Sequence, residues 1–459
     1  MKNLKLYILL VFSFCCSCKD YLDVKEQGVA IPKSAEEFSA ILHARLNDMD
    51  YGSEEVVLGN ARTILNYECY GDNQNTNLST AGISLPIYVG SKINDFQSDY
   101  EELYAVIRDC NLILDNMEQR DSELGKNVLG TAYALRAVCY YNLMRNFCEP
   151  YDPERAEDRL GLPIVSTFDM EAKPVRSDLK TTAKFIEEDL KKAITYNVQE
   201  GMYRFTADVA KAYLARLYFW CQDWGNAIPV AKEILEKYPL LSGQEYTDMI
   251  QSQNTQKGNI LLRSYVISGD FYSDSDYADA KRDAKYRPAR KEFVDLFVEK
   301  GRDVRYAISF DEKRLNMKNI FSGVRSAEMC LILAESYAHQ SNGTSEALSY
   351  LNQLREKRIS DYVPYTLETL PEVNPNARIK VDATGASLTK LMSAIFDERR
   401  KELYMEGDRW FELKRNGRPE FWVARNGLKY ETSTYLYTAP LPKNDIALLP
   451  GLIQNEGYE

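Results

Sequence analysis

Carboxylates are the most abundant groups in this 459-residue chain that could do chemistry: 68 Asp and Glu stand against 57 Lys and Arg, with only two histidines, His43 and His339. Glu54-Glu55, Glu187-Glu188 and Asp274/Asp276 hold the groups a glycosidase uses, an acid and a base or nucleophile on either side of one bond. Nothing in their spacing places a pair in a cleft, and runs of acids ordinarily solvate a surface. A zinc site or a histidine-activated nucleophile has little material to draw on. No GxSxG, HExxH or glycine-rich phosphate loop occurs. The run Gly269-Asp270…Asp274-Ser275-Asp276…Asp279 offers calcium ligands but lacks the internal glycine and closing glutamate of an EF-hand loop. The expectation is a chain with no catalytic residues, no metal and no cofactor.

One cysteine carries a different chemistry. Met1 to Lys5 is a basic segment, and Leu6 to Phe14 is an apolar run too short to span a bilayer. It leads into Cys15-Cys16-Ser17-Cys18-Lys19-Asp20, a small residue followed by cysteine, which resembles a bacterial lipobox. Cleavage after Ser17 would leave Cys18 as the acylated N-terminus, with Cys16 as the alternative; several acyl chains on one residue make a stable anchor. The formal charge is -11. Loss of residues 1–17 removes Lys2 and Lys5 and makes the chain more acidic still. That argues against nucleic acid or an anionic bilayer surface as the main partner.

Groups suited to binding lie in two further stretches. The first is Tyr70-Gly71-Asp72-Asn73-Gln74-Asn75-Thr76-Asn77, with Tyr88 downstream; the second runs from Phe271-Tyr272 to Tyr277 and includes Asp274 and Asp276. Aromatic faces stack on sugar rings while Asn, Asp and Arg bond to hydroxyls, and the same polar groups can hold a peptide backbone. Asp72, Asn73, Asn75, Tyr272 and Tyr277 are the candidate ligand contacts, each of which also fits a loop side chain without a role.

The elements that must position these groups are helical. Ile395 to Gly417 carries Phe396, Leu403 and Trp410 at heptad spacing, which predicts one amphipathic helix stopped by Asn416-Gly417. Gly407 on its apolar side implies either a kink or the close approach of another segment. Asp397 can pair with Lys401. Arg399, Arg400, Glu402, Glu406 and Arg409 form either a solvated face or a partly buried network. Ser34 to Leu46 reads as a helix capped by Ser34, and Tyr100 to Met117 as another. An internal repeat follows: Ala137-x-x-Tyr140, Ala215-x-x-Tyr218 and Ala334-x-x-Tyr337 sit mid-helix on a small-then-aromatic face. The middle copy continues through Trp224, Ala227, Ile228 and Pro239, where a tetratricopeptide helix pair places its packing residues; Asn226 is its expected N-cap, putting Pro229 at the third helical position. The partner of the first copy is Thr182 to Ile194, beyond a loop at 150–174. Trp220, Trp224 and Trp410 fall in these helices, leaving Trp422 spare. The six cysteines Cys69, Cys110, Cys139, Cys148, Cys221 and Cys330 read as buried thiols, and their spacing identifies no disulfide.

Glu-Arg-Arg-Lys-Glu-Leu-Tyr-Met-Glu-Gly-Asp-Arg-Trp-Phe-Glu-Leu-Lys-Arg at 398–415 resembles the signature helix of the SusD/RagB family of outer-membrane nutrient-binding lipoproteins. Ala134-Leu135-Arg136-Ala137 through Gly161-Leu162-Pro163, Arg325 to Tyr337 and Leu441 to Tyr458 are similar to further family runs, with gaps at 47–99, 240–320 and 359–390. The resemblance implies an all-α fold, tetratricopeptide-like helix pairs (about four) in a right-handed array with loop insertions. It implies a signal peptide at 1–17, a lipidated tether at 18–34 bearing a surface-export signal, and a single domain over 35–459. It further implies a non-enzymatic protein that holds an oligosaccharide, or a peptide, for a SusC/RagA-like TonB-dependent transporter. The gaps would be the loops that set specificity, and the two polar stretches match in position those that usually form the ligand site. Few spare tryptophans weaken a starch-like stacking platform. A tetratricopeptide scaffold of the envelope and a glycosidase are the rival classes. Replacing Cys18 with alanine is expected to abolish labelling by radioactive palmitate and release the chain from the membrane fraction, while Cys16→Ala does neither; the reverse pattern would move the anchor.

Overall fold

The computed structural model describes residues 31–51, 56–75, 95–169, 171–253, 256, 258–264, 271–425 and 428–458. The cleavage site and Cys18 lie outside them, as do Asn77 and Tyr88 and the side chain of Tyr272. Helix α1 (Ala35–Tyr51) begins with a reciprocal box: Glu37 N–H donates to Ser34 Oγ at 3.3 Å and Ser34 N–H to Glu37 Oε2 at 3.1 Å. Helix α2 (Ala61–Tyr70) is capped by Asn60, and α3 (Asp95–Asn116) and α4 (Glu123–Phe147) follow. Strands β1 (Leu160–Pro163) and β2 (Arg176–Asp178) form a small antiparallel ribbon before α5 (Leu179–Tyr196). Helices α6 (Ala207–Trp220), α7 (Trp224–Lys237) and α8 (Gly243–Gln251) come next, then β3 (Ile260–Arg263).

The 271–310 region adds α9 (Phe271–Lys285), α10 (Lys291–Val294) and α11 (Val304–Ser309). Strand β4 (Gly323–Arg325) pairs antiparallel with β3 and feeds α12 (Ser326–Ala338), which precedes α13 (Thr344–Glu356). Helices α14 (Lys390–Glu402) and α15 (Asp408–Arg415), the hairpin β5 (Phe421–Arg425) and β6 (Leu428–Thr432), and α16 (Lys443–Leu448) complete the chain.

The helices stack in tetratricopeptide-like fashion. Pairs α4/α5, α6/α7 and α12/α13 pack internally, α5 meets α6, α7 meets α12, and α14 closes on α12; α3 packs against α4 at the other end. Ala137, Ala215 and Ala334 are buried at these contacts, and each tyrosine three residues on meets a neighbouring helix. Tyr140 lies edge-on to Phe185 at 5.1 Å, Tyr218 donates to Glu187 at 2.8 Å, and Tyr337 stacks on Tyr350 at 5.7 Å. The N-cap of α7 is Asp223 rather than Asn226, so Pro229 is its sixth residue and forgoes an interior hydrogen bond. The six cysteines are unpaired thiols, buried except for half-buried Cys221.

The expected single helix over 395–417 is two helices. Met405 (φ 60°) and Gly407 (φ 72°) adopt left-handed backbone between α14 and α15. The carbonyls of Glu402 and Tyr404 accept from Lys318 Nζ at 3.2 and 2.6 Å, and Arg325 donates to the Glu402 carbonyl at 2.7 Å. Side chains thus take the acceptors that continuing the helix would need. The charged face is the buried network rather than a solvated surface. Glu402 is 0% exposed and receives Arg325 at 2.6 Å, Arg358 at 2.9 Å and Arg305 at 3.3 Å. Glu398 binds Arg305 at 2.8 Å together with Arg355 and Lys401, so Lys401 pairs with Glu398 and not with Asp397. Glu406 holds Arg325 and Lys318, each at 2.9 Å.

Burial alone would raise the Glu402 carboxyl; Arg358 and Arg325 outweigh it and hold the group well below the usual carboxylate range. A depressed carboxyl stabilises the fold above its unfolded value, near 4.5, and that contribution fades as pH falls toward the folded one. Glu402→Gln leaves three guanidiniums short of counter-charge and is expected to cost about 3–5 kcal/mol in urea unfolding at neutral pH. Its stability should also fall less than the wild type's as pH is lowered below 4.5.

Candidate functional site

The sequence-derived candidates occupy interior places. Asp72 is 3% exposed: Arg409 Nε donates to its Oδ1 at 2.7 Å, and Arg400 approaches the same oxygen at 3.2 Å. These two arginines hold its carboxyl far below the usual range against the opposing effect of burial. Asn73 is 0% exposed, donating to Glu68 at 2.9 Å and accepting from Arg400 at 2.7 Å. The following residues lie on the segment before α10: Asn73 and Gln74 bridge to Arg290 and Ala289, and Asn75 N–H donates to the Pro288 carbonyl at 2.8 Å. Asn75 is half-buried and the nearest of the three to solvent.

The second stretch is helix, not loop. Asp276 and Asp279 lie on α9, the first exposed and the second half-buried, so the resemblance to a calcium loop fails on backbone shape as well as on composition. Tyr277 is buried; its hydroxyl donates to the Ile320 carbonyl at 3.2 Å and accepts from the Ile320 N–H at 3.0 Å. Asp72, Asn73 and Tyr277 are thus each engaged by protein groups. The signal for the first pair was present in the sequence: Arg400 and Arg409 on a helix that packs inward require a nearby acid. Among the described residues no cluster of three His, Cys, Asp or Glu side chains could hold a metal ion.

An open cleft of about 610 Å³ lies elsewhere, where α1, α2, α3, α4 and α6 meet the 56–60 and 322–323 segments. Its base is built from Tyr67, Phe411 and Arg145: the two rings meet edge-on at 4.9 Å, and the Arg145 guanidinium lies 3.6 Å over the Phe411 ring. Tyr67 donates to Asn146 Oδ1 at 3.1 Å. Ser322 Oγ donates to the Leu58 carbonyl at 2.7 Å, tying the two wall segments together. Gly407 comes close beneath α2: a Cβ there would stand 3.2 Å from Ile64 and Tyr67, and its N–H donates to Glu68 at 3.2 Å. The break between α14 and α15 is thus what seats Phe411 under the cleft. Burial pushes the Glu68 carboxyl up to about 7, against the pull of its bonds from Asn73 and Gly407.

Lys414 supports the same base from below. Its Nζ donates to the Arg145 carbonyl at 2.6 Å, at the open end of α4, and burial pushes it down to about 7. The cleft takes its wall residues Val56–Ile64 from the first gap in the family pattern. No single motif marked it. The available signal was Asn142, Arg145 and Asn146 at i, i+3 and i+4, a polar face at the end of an otherwise apolar helix. Trp220 and Trp410 are buried and Trp224 stacks on His339 at 4.2 Å, whereas Trp422 is 52% exposed, away from the cleft lining.

Asp72→Asn is expected to lower stability by about 3–5 kcal/mol in urea unfolding, because two buried arginines lose their counter-ion.

Two family profiles match the chain: one described as "Starch-binding associating with outer membrane" over residues 20–219, and one described as "SusD family" over residues 300–458. Two SusD-like proteins of Formosa agariphila are 21% and 22% identical, with alignments that take in 100% of this chain and 99% and 100% of theirs. Among solved structures, a SusD superfamily protein of Bacteroides vulgatus aligns with TM-score 0.72 at 19% identity, over 93% of this chain and 100% of that one. A laminarin-binding SusD-like protein aligns with TM-score 0.59 at 17% identity, over 93% and 100%.

Proposed function

The chain belongs to the SusD/RagB family, and from that premise we propose that it is a cell-surface lipoprotein, anchored in the outer membrane through Cys18, that captures an oligosaccharide and passes it to a SusC/RagA-like TonB-dependent transporter. The observation that carries the binding part is the open cleft of about 610 Å³, walled by helix side chains and floored by aromatic rings and an arginine. Its volume falls within the range of small-molecule sites, and its mixture of rings and amides suits hydroxyl-rich ligands. Its function is to hold and hand over, without covalent chemistry. A fixed helical frame around the cleft favours this, since binding without reorganisation keeps the ordering cost low.

A laminarin-binding relative with this fold supports a saccharide as the ligand class, and the outer-membrane wording of the first profile supports the location. No helix among the described residues is long and apolar enough to cross a membrane, so in this reading attachment rests on the acylated cysteine.

Ala105 lines the cleft from α3 and is half-buried, which makes it a place to fill the opening without removing an interior partner. Calorimetry of the mature chain against oligosaccharide and peptide panels should find a saccharide ligand, and Ala105→Trp should weaken it by roughly tenfold or more at unchanged melting temperature. Unaltered affinity in that variant would remove the cleft from the reading. Binding of peptides alone would replace the saccharide with a peptide.

A further inference from the structure

Asn142, Arg145 and Asn146 share one face of α4 and line the cleft. Both asparagines are committed: Asn142 donates to the Val57 carbonyl, and Asn146 donates to the Asn142 carbonyl at 3.0 Å while accepting from Tyr67. Arg145 is different. Its Nε is buried without a hydrogen-bond partner, and among the described residues its guanidinium makes no ion pair. Asp408, an acid within its electrostatic reach, already accepts Arg399 at 2.8 and 2.6 Å.

The guanidinium is also held still. It lies 3.6 Å from the Phe411 centroid, 5.3 Å from that of Tyr141 and 5.7 Å from that of Trp220. Stacking fixes its plane and leaves its donors in a preset fork, a shape that matches a planar carboxylate or a sulfate oxygen pair better than a single hydroxyl. The lining also includes Asp99 and Glu102 from α3, acids that disfavour a ligand charged along its whole length.

We infer that Arg145 anchors a single oxyanion on the captured saccharide, a uronate carboxylate or a sulfate ester, so that the cleft prefers a glycan with an isolated acidic residue over its neutral counterpart. This rests on the saccharide reading above. The preference is worth more in a partly desolvated cleft than in open water, and it weakens as salt is added.

The test is calorimetry of the mature chain with matched pairs of gluco-, xylo- and galacto-oligosaccharides, each with and without one uronic acid, and with a monosulfated third member. The acidic member of the pair that binds is expected to bind roughly tenfold tighter, and raising the salt concentration should narrow the gap in the wild-type protein. Arg145→Met should erase the gap, and Arg145→Lys should keep only part of it. The uronate and sulfate arms tell which oxyanion is preferred. Equal affinity for neutral and acidic members in the wild type, or full preference retained in both variants, overturns this inference and leaves the saccharide reading standing. Failure of every saccharide to bind overturns both.

Discussion

Glu402 sits with no solvent contact among Arg305, Arg325 and Arg358, and its backbone carbonyl is shared by Arg325 and Lys318. Taking a carboxylate and several guanidiniums out of water costs several kcal/mol per ion, and only near-complete mutual hydrogen bonding offsets it. Such an arrangement tolerates few alternatives. A helix shifted by one turn would leave charges stranded, so the network fixes register more than it adds stability. Glu398 and Glu406, one turn to either side, extend the same constraint along α14 and into the break that follows it.

Sequence separation shows what the network joins. Arg305 (itself paired with Asp303), Lys318, Arg325, Arg355 and Arg358 all converge on acids at 398–406. The tetratricopeptide-like stack passes through α12 and α13, while the 271–320 stretch and α14 lie beside it; the buried ions clamp these parts together. A second clamp, Asp72 with Arg400 and Arg409, draws the end of α2 against the same helices. The second clamp brings α2 to the helix that carries Phe411, and Lys414 and Arg145 bring in α4, so a cleft arises from segments that are apolar or ion-paired on their inner sides.

Within that opening Arg145 contrasts with the other arginines of the frame. Those of the clamps are matched by carboxylates, whereas Arg145 is matched by aromatic faces, which attract a cation without using up its N–H donors. A group desolvated on its faces and unfilled at its edge is prepared for an acceptor that arrives from outside. Lys414 holds the last carbonyls of α4 in the same place, so the donor fork and the helix end that carries it are fixed together.

Local signals in the sequence determined a good deal. The Ala-x-x-Tyr repeat named the faces on which α4, α6 and α12 pack, because small-then-aromatic spacing on a helix has few other uses. The Ser34 cap, the stop at Asn416-Gly417 and the inward character of Trp220, Trp224 and Trp410 were legible for the same reason: each depends on neighbours within a turn or two. The family pattern at 398–415 fixed the fold class. Other features needed partners distant in the chain. Whether Arg400 and Glu402 faced water or protein depended on residues about 40 to 330 positions away, and so did the fate of Asp72 and Asn73. The break at Met405–Gly407 follows from Lys318 and Arg325 claiming helix carbonyls, which no periodicity can reveal. The cleft is the extreme case. Its lining is drawn from seven separate stretches, and a concave surface is a property of their juxtaposition, which only tertiary packing creates.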